Sequence, residues 1–484
     1  MSTAIHWFRR DLRLTDNTAL NAAVAAHDLV VPVYILSDWK NDHHWCGAAR
    51  QEFLCGCLAS LHRNLESKGG RLIVREGAVC DALEKLVRET GASAIYFNRD
   101  PDPFGREMEK RIEGMAGRLG VRVHSFKDAA IHERDEVLTG EGRPYKVFTP
   151  YARAWSKLPE PAPGRSVVRI AVPSNIESDP LPMLAHWNLK SEAQIIEPGE
   201  AAARRRLSHF LDGRIFSYAL TRDLPGEDGT SRLSQDLRHG LLSIREVLHE
   251  CRQAAALAKT TAHKNAVGTF VNELIWREFY FQVLWHWPDV LEHEFQSEYR
   301  SLPWRAHWRP EDEHAWNRDT AALDDFDRWR EGRTGFPIVD AGMRQIAATG
   351  TMHNRVRMIV AMFLTKDLRI WWMHGESHFM RLLVDGEIAS NNGGWQWSAS
   401  TGTDAAPYFR IQNPWSQTKR FDRDGAYIRR WVPELRDVPA ALLCEPPTPG
   451  LPIAKGYPLP MVEHSAARDE VLAMFQSEKS AGGE

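Results

Sequence analysis

The sequence has few cysteines and almost no net charge. Six cysteines stand among 484 residues, and none of them forms a CxxC pair. Cys55 and Cys57 are too close in sequence for a usual zinc knuckle, so we expect reduced, mostly packed thiols and no metal site. Lys and Arg total 61 against 64 Asp and Glu, a net charge of -3. This balance excludes a globally basic surface, so any nucleic-acid binding depends on a local patch.

Long apolar runs and the common nucleotide-binding fingerprints are also missing. No run approaches the 18 or so apolar residues that cross a membrane, and the N-terminal residues lack the apolar block of a signal peptide. Arg9 and Arg10 precede Asp-Leu-Arg-Leu, which is no twin-arginine signal. Neither GxGxxG nor GxxxxGK[ST] follows a predicted strand. We therefore expect a cytoplasmic protein without an ordinary dinucleotide or P-loop site.

Tryptophan, by contrast, is abundant. The chain has 18 Trp, more than packing alone requires, and residues 391–397 read Asn-Asn-Gly-Gly-Trp-Gln-Trp. This segment follows neither the period of a helix nor that of a strand. It indicates a redox or stacking site, with a loop that packs two indoles as the alternative.

The organisation of the chain predicts two kinds of structure. Short apolar runs at 5–8, 30–36, 71–74, 94–97 and 121–126 alternate with helical patterns, which predicts a doubly wound, Rossmann-like α/β domain with a parallel sheet. Thr15 or Asp16 is expected to cap the first helix. The predicted boundaries are an α/β domain at 1–130, a long connector rich in Pro and Ser at 131–200, and an all-helical domain at 201–484 that carries most of the tryptophans.

Several polar clusters of the C-terminal half are candidates for a site. Three hydroxyls and a cation lie in one pentapeptide after two glycines, which suits a loop that binds phosphate at the start of a helix, although a helix cap explains one hydroxyl without a ligand. This pentapeptide consists of Thr230, Ser231, Arg232, Leu233 and Ser234. Glu273 and Trp276 lie one helical turn apart and could hold a planar base, or they are a rim Glu beside a core Trp.

Two further groups have several interpretations. His353 opens a predicted apolar helix, where it is a general acid or, more commonly, a structural histidine. Asp385 and Glu387 resemble a metal or ribose clamp, and metal is the weaker choice because no His or Cys cluster accompanies them.

Three ordered motifs resemble the DNA photolyases and cryptochromes, and most closely the bacterial cyclobutane pyrimidine dimer photolyases. They lie at 6–17 (HWFRRDLRLTDN), 332–340 (GRTGFPIVD) and 391–397 (NNGGWQW). The resemblance implies an antenna-binding α/β domain followed by an all-α domain that binds FAD. It also implies light-driven repair of pyrimidine dimers by electron transfer from the reduced, excited flavin to a flipped-out lesion.

The resemblance also implies roles for single residues. Asn391 would face the central flavin ring and favour repair, since plant-type cryptochromes carry Asp there. The other implied FAD-binding residues are Tyr218, Thr230, Ser231, Arg232, Leu233, Ser234, Asn354, Arg357, Asp385, Gly386 and Glu387. Asn354 and Met358 are implied next to the reacting groups, and Glu273 would bind the lesion carbonyls. Arg222 and Arg355 would meet DNA phosphates, while Trp276, Trp397 and Met358 would pack against the lesion.

An electron relay and an antenna complete the expectations. Trp395, Trp372 and Trp316 would carry electrons from the surface to the flavin, with Trp329 or Trp371 as alternatives that leave the outermost position open. A folate (methenyltetrahydrofolate), a deazaflavin or no antenna all stay open.

Repair of cyclobutane dimers is the leading function, with DNA that contains pyrimidine dimers as the partner and a monomer as the expected state. A blue-light receptor of the cryptochrome type, a (6-4) photolyase and a non-photochemical flavoprotein are the alternatives.

Overall fold

The N-terminal part of the protein is an α/β fold built on one sheet. The computed structural model describes residues 1–37 and 43–481. The five parallel strands are β1 (Thr3–Phe8), β2 (Leu29–Leu36), β3 (Ile73–Glu76), β4 (Ala94–Asn98) and β5 (Arg122–Phe126). Their spatial order is β3-β2-β1-β4-β5. Each predicted strand is confirmed to within three residues.

The order of the strands reverses between β1 and β4, as in doubly wound folds. Both faces of β1 and β4 are buried throughout, which explains why their sequences are continuously apolar rather than alternating. One face packs Ile5, Val33 and Phe97 against apolar residues of the helices Val79–Thr90 and Pro103–Leu119. The predicted Rossmann-like fold class is confirmed.

The N-cap of the first helix is neither of the two predicted residues. Asn17 is the N-cap, and its side-chain oxygen accepts a hydrogen bond from Leu20 N at 3.1 Å. Asp16 adopts the left-handed conformation (φ 51°), and its carboxylate instead binds Arg245 at 2.9 Å. The prediction of Thr15 or Asp16 was wrong, because a buried ion pair distant in sequence takes up the side chain of Asp16.

Helices make up nearly all the regular structure after residue 130. No named strand follows β5 in the part of the chain that the structure describes. The α-helices of the protein are Thr18–Ala26, Ala48–Glu66, Val79–Thr90, Pro103–Leu119, Phe148–Trp155, Glu200–His209, Ile215–Thr221, Ser234–Arg238, Ile244–Leu257, Thr261–His286, Thr320–Arg330, Pro337–Thr349, Asn354–Met362, Trp372–Leu382, Ile388–Ala399, Pro414–Phe421, Ala426–Trp431, Ala440–Leu443 and His464–Ala481. Short π-helical segments cover Phe210–Arg214 and Phe363–Asp367.

Packing divides the chain into two compact units. The first comprises Met1–Ser191, Ile196–Ala219 and Ser231–Pro288, and the second comprises Glu192–Ile195, Leu220–Thr230 and Asp289–Glu484. The first unit thus adds helices up to residue 288 to the sheet domain. The domain boundaries at 130 and 200 stay a prediction.

The GRTGFPIVD motif builds a corner of the second unit. Asp340 is fully buried and accepts hydrogen bonds from Thr334 N at 2.7 Å and Gly335 N at 3.1 Å. The Tyr457 hydroxyl donates a further hydrogen bond to it. These donors hold the turn that leads into the helix Pro337–Thr349, whose apolar face belongs to the large core of this unit. The motif therefore has a structural role.

The remaining whole-chain findings concern cysteines, membranes and metals. All six cysteines are free thiols. No helix in the described residues is long and apolar enough to span a membrane. Within residues 1–37 and 43–481, no group of three or more His, Cys, Asp or Glu side chains forms a candidate metal site.

Candidate functional site

The Asn-Asn-Gly-Gly-Trp-Gln-Trp segment is helical. It lies within the helix Ile388–Ala399, so the loop interpretation was wrong. Its two glycines are tolerated there because neighbouring helices bury the segment: Asn392, Trp395 and Gln396 are all buried. The spacing of four residues places Asn391 and Trp395 on one face of the helix.

Asn391 is held by the neighbouring helix Trp372–Leu382. Its Nδ2 donates a hydrogen bond to the backbone oxygen of Glu376 at 3.0 Å. Asn392 Nδ2 donates to the carboxyl group of the same residue at 3.0 Å. Burial raises the pKa of Glu376 to about 8, against the weaker opposing effect of the Asn392 hydrogen bond. A protonated Glu376 therefore supports the asparagine pair at neutral pH, a role that the sequence analysis missed.

Trp395 lies in a close-fitting aromatic pocket. The Trp395 ring meets Phe379 edge to face at a centroid distance of 5.0 Å and Trp329 at 6.1 Å. Its six-membered ring rests directly over the Cα of Gly375, where any side chain would collide with it. The indole is 2 % exposed, so its position is fixed by packing.

A row of aromatic rings continues from Trp395 to Trp308, which is partly exposed. Trp329 stacks on Phe326 at 5.6 Å, Phe326 stacks on Trp316 at 5.3 Å, and Trp316 meets Trp308 at 5.2 Å. Trp329 donates its indole hydrogen to the backbone oxygen of Val360 at 3.0 Å. Ring contacts thus connect Trp395 to Trp316 through Trp329 and Phe326. Trp329, an alternative for the outermost relay position in the sequence analysis, instead lies directly against Trp395, and its part in the relay stays a prediction.

Trp372 lies beside Trp371 in the same unit. Their ring centroids are 6.3 Å apart, and both indoles donate a hydrogen bond to Glu294 Oε1, Trp371 at 2.9 Å and Trp372 at 3.0 Å. Trp372 is completely buried and Glu294 is 1 % exposed. Nothing in the sequence marks Glu294, because its partners lie more than 70 residues away.

The pair of Arg357 and Asp385 fits a bound polar cofactor. Arg357 Nη2 donates to Asp385 Oδ2 at 2.8 Å, and its Nε donates to the backbone oxygen of Met352. Asp385 Oδ1 is buried and has no hydrogen-bond partner within the described residues. Since a buried carboxylate oxygen requires a donor, a cofactor with amide or hydroxyl donors would complete this site. The adjacent Gly386 and Glu387 are buried as well.

Two arginines meet on the second unit around one carboxylate. Arg355 pairs with Asp223 at 2.9 Å, and Arg222 lies 4.0 Å from the same residue. Arg355 also approaches Met358 Sδ at 3.6 Å. Since the side chains of Arg222 and Arg355 are both partly exposed, this cluster can present positive charge to a phosphate.

The helix that carries Arg355 starts at Asn354, one residue after the predicted opening residue His353. His353 is its N-cap, with Nδ1 accepting from Arg355 N at 3.2 Å. This cap gives His353 a structural role, as the structural interpretation of this histidine predicted. Asn354, the first residue of the helix, is exposed.

The phosphate-loop candidate spans a point in the sequence where a segment of the second unit ends and one of the first begins. Thr230 ends a segment of the second unit, and Ser231, Arg232, Leu233 and Ser234 open a segment of the first. Arg232 takes the left-handed conformation (φ 51°), which turns the chain just before the short helix Ser234–Arg238. Tyr218 is buried against the rings of Phe210 and Phe270.

Glu273 and Trp276 lie on the long helix Thr261–His286 of the first unit, as predicted. Trp276 stacks face to face on Phe148 with centroids 3.7 Å apart. Phe148 therefore supports one face of the indole and leaves Trp276 partly exposed. Trp397, the other predicted aromatic wall, lies on the second unit and is also partly exposed.

Both the N-terminal and the C-terminal part of the chain match models of a known protein family. Residues 4–166 match the family model described as DNA photolyase, and residues 270–477 match the FAD binding domain of DNA photolyase. A deoxyribodipyrimidine photo-lyase of Synechococcus sp. is 37% identical over 99% of this chain and 97% of its own length. A protein of the same name from Escherichia coli is 38% identical over 99% of each chain.

Solved structures show the same relationship. A bacterial class III photolyase from Agrobacterium tumefaciens superposes with a TM-score of 0.89 at 37% identity, covering 99% of this chain and 98% of that one. A cryptochrome from Synechocystis sp. has a TM-score of 0.86 at 24% identity and is similar in fold. With matches along nearly its whole length, the chain belongs to the DNA photolyase family.

Proposed function

We propose that the protein repairs cyclobutane pyrimidine dimers in DNA under blue light. The observation that carries the proposal is similarity at 37–38% identity, over almost the entire chain, to proteins named deoxyribodipyrimidine photo-lyase. The chemistry that FAD supplies when bound is light-driven donation of one electron to the lesion.

In this proposal the second unit supplies most of the groups that hold FAD. The unpartnered Oδ1 of Asp385 accepts a hydrogen bond from the cofactor, while the hydrogen bond from Arg357 orients the carboxylate. Asn391, fixed through its hydrogen bond to Glu376 O, presents its amide to the flavin ring. The remaining holders are Tyr218, Thr230, Ser231, Arg232, Leu233, Ser234, Asn354, Gly386 and Glu387.

Lesion recognition uses charge for the backbone and aromatic surface for the bases. The Arg222 and Arg355 cluster binds phosphates next to the lesion, so affinity falls as salt rises. Trp276, Trp397 and Met358 contact the extruded bases, and stacking contributes about 1–3 kcal/mol per base. Glu273 donates or accepts hydrogen bonds at the lesion carbonyls, where negative charge develops.

Reduction of the flavin uses the tryptophans of the second unit. We assign Trp395, Trp372 and Trp316 to this relay, and the ring contacts of Trp329 with Trp395 support a second route. We further propose that the protein acts as a monomer in the cytoplasm, in contact with chromosomal DNA. Light scattering of the purified protein tests the oligomeric state.

The test of the proposed function is a repair assay. Purified, pre-reduced protein is mixed with an oligonucleotide that contains one thymine cyclobutane dimer, and the products are separated chromatographically after blue light or darkness. We expect intact thymines only after illumination. Absence of repair by protein with bound, reduced FAD would refute the proposal and favour a signalling role or another lesion.

A variant of Glu273 tests the mechanism in the same assay. Glu273→Ala removes the lesion hydrogen bonds, so the repair yield falls while FAD stays bound. Glu113→Ala, which removes an exposed carboxylate from the helix Pro103–Leu119, is the matched control. Equal repair by both variants would remove Glu273 from the mechanism.

A further inference from the structure

Glu294 is a buried carboxylate that two tryptophans share. Its Oε1 accepts the indole hydrogens of Trp371 at 2.9 Å and of Trp372 at 3.0 Å. The three side chains are 1 %, 5 % and 0 % exposed, respectively. A buried indole satisfies its hydrogen bond with any acceptor, and a backbone oxygen does so for Trp329. A carboxylate is a costlier choice in a buried place, because desolvation penalises its charge.

The carboxylate is chemically suited to an indole that loses an electron. An oxidised indole carries a positive charge, and its N–H becomes acidic. A negative oxygen 3.0 Å from that nitrogen stabilises the cation and can accept the proton. Water cannot do so here, since Trp372 is completely buried.

We propose that Glu294 is the proton acceptor of Trp372 in the electron relay, an inference that rests on the proposed function. The oxidant is the photoexcited oxidised flavin, acting through Trp395. One electron leaves the Trp372 indole for oxidised Trp395, the N–H bond of Trp372 breaks, and the proton moves to Glu294 Oε1. The products are a neutral Trp372 radical, a neutral carboxylic acid and restored Trp395. Return of the electron is slowed, because the proton must return with it.

The charged groups around the site are consistent with this role. The Arg300 guanidinium donates to the backbone oxygen of Glu294 at 3.0 Å and pairs with Asp289. These contacts do not involve the Glu294 carboxylate, whose Oε1 accepts the two indole hydrogens. His307 packs its ring against Trp371 at 4.6 Å, and burial lowers the pKa of His307 while the charge of Glu294 opposes that shift. A neutral His307 does not compete as a cation for the carboxylate.

Trp329 provides an internal contrast. Its indole donates to the carbonyl of Val360, which is not basic enough to take a proton. Trp329 that has lost an electron therefore stays a radical cation, whereas Trp372 that has lost an electron becomes a neutral radical. The two species have different visible absorption bands, so flash photolysis distinguishes the routes.

The test compares E294Q with the unmodified protein, both as full chains with oxidised FAD. Glutamine keeps an oxygen that accepts both indole hydrogens but lacks the charge and the basicity. After a laser flash we expect the neutral tryptophan radical in the unmodified protein. In E294Q we expect a radical cation that recombines about tenfold faster, in line with the loss of a charge-assisted hydrogen bond. E292Q, which changes an exposed carboxylate of the same segment, should behave as the unmodified protein.

A second measurement needs no variant. Deuterated water should slow formation of the neutral radical in the unmodified protein, so the inference is tested even if E294Q does not fold. Identical radical spectra and decay in E294Q and the unmodified protein, or no isotope effect, would overturn it. The variant Trp395→Phe tests the relay separately from the role of Glu294. Normal photoreduction in Trp395→Phe would refute the relay itself. If Trp395→Phe loses photoreduction but E294Q has unchanged kinetics, only the role of Glu294 is refuted.

Discussion

Helix propensity and core packing predict opposite effects of the substitution Gly375→Ala on the free energy of unfolding. Gly375 lies inside the helix Trp372–Leu382, where alanine in place of glycine ordinarily stabilises by about 1 kcal/mol. In this protein the added methyl group would penetrate the ring of Trp395 and lie 2.7 Å from Leu364 Cδ2. Both neighbours are buried in the main core of the second unit, so neither can move away without displacing others.

The magnitude follows from these two effects. Overpacking a close-fitting core costs about 1–3 kcal/mol, and the propensity gain offsets up to about 1 kcal/mol. Because the added methyl group would overlap the ring of Trp395 itself, the cost falls in the upper part of this range, about 2–3 kcal/mol. After the propensity gain we expect a net loss of about 1–2 kcal/mol in the free energy of unfolding. The displaced Trp395 ring should also slow photoreduction of oxidised flavin, because electron transfer depends on the position of this ring in the proposed relay.

Urea unfolding and steady-state photoreduction measure the two effects. Gly114→Ala is the matched control, since Gly114 lies in the exposed part of the helix Pro103–Leu119 and a methyl group there meets nothing within 4 Å. It should gain up to about 1 kcal/mol with photoreduction unchanged. If Gly375→Ala were as stable as Gly114→Ala and photoreduced its flavin normally, the packing argument for Trp395 would be refuted.

Three further predictions concern the site. Trp395→Phe should block photoreduction of oxidised flavin under steady light yet spare repair by chemically pre-reduced protein, and loss of both would show that Trp395 mainly supports the fold. Asp385→Asn should weaken FAD binding by about 10- to 100-fold, because it removes a charge-assisted hydrogen-bond partner. The fluorescence of released flavin measures the dissociation constant, and an unchanged value would contradict the assignment of Asp385. Burial raises the pKa of Glu376 from 4.5 to about 8, so the folded protein holds a proton that the unfolded chain loses, and stability should fall as the pH rises from about 5 to about 8. Glu376→Gln should abolish that part of the pH dependence in urea unfolding, and an identical pH profile would show that Glu376 is ionised in the folded protein.

Local pattern was enough to predict the elements. The runs that became β1 to β5 are apolar because both faces of a parallel sheet are buried, so their position along the chain shows in the residues themselves. The same holds for the helix that starts at Asn354 and for the one that carries Glu273 and Trp276. The ordered motifs also pointed to the family before any contact was known.

Local pattern failed where distant neighbours determine the conformation. Asn17 rather than Asp16 caps the first helix, because Arg245, more than 200 residues away, binds the carboxylate of Asp16. The Gly-Gly of 393–394 suggested a loop, but burial against other helices stabilises a helix there despite weak propensity. The periodicity of a sequence describes one helix or strand at a time. The N-cap of the first helix and the conformation of residues 393–394 depend on contacts between different elements.

The sequence alone determined the fold class and the family and suggested the residues of the candidate site, because these follow from local composition and ordered motifs. Only the tertiary structure decided which groups act together. Trp395 contacts Trp329, and Arg357 pairs with Asp385. Glu376 holds Asn391, and Glu294 accepts the indole hydrogens of both Trp371 and Trp372. Each of these contacts joins residues that are far apart in the chain or on different helices. Such contacts arise from the packing of whole elements, and no local pattern in the chain encodes them.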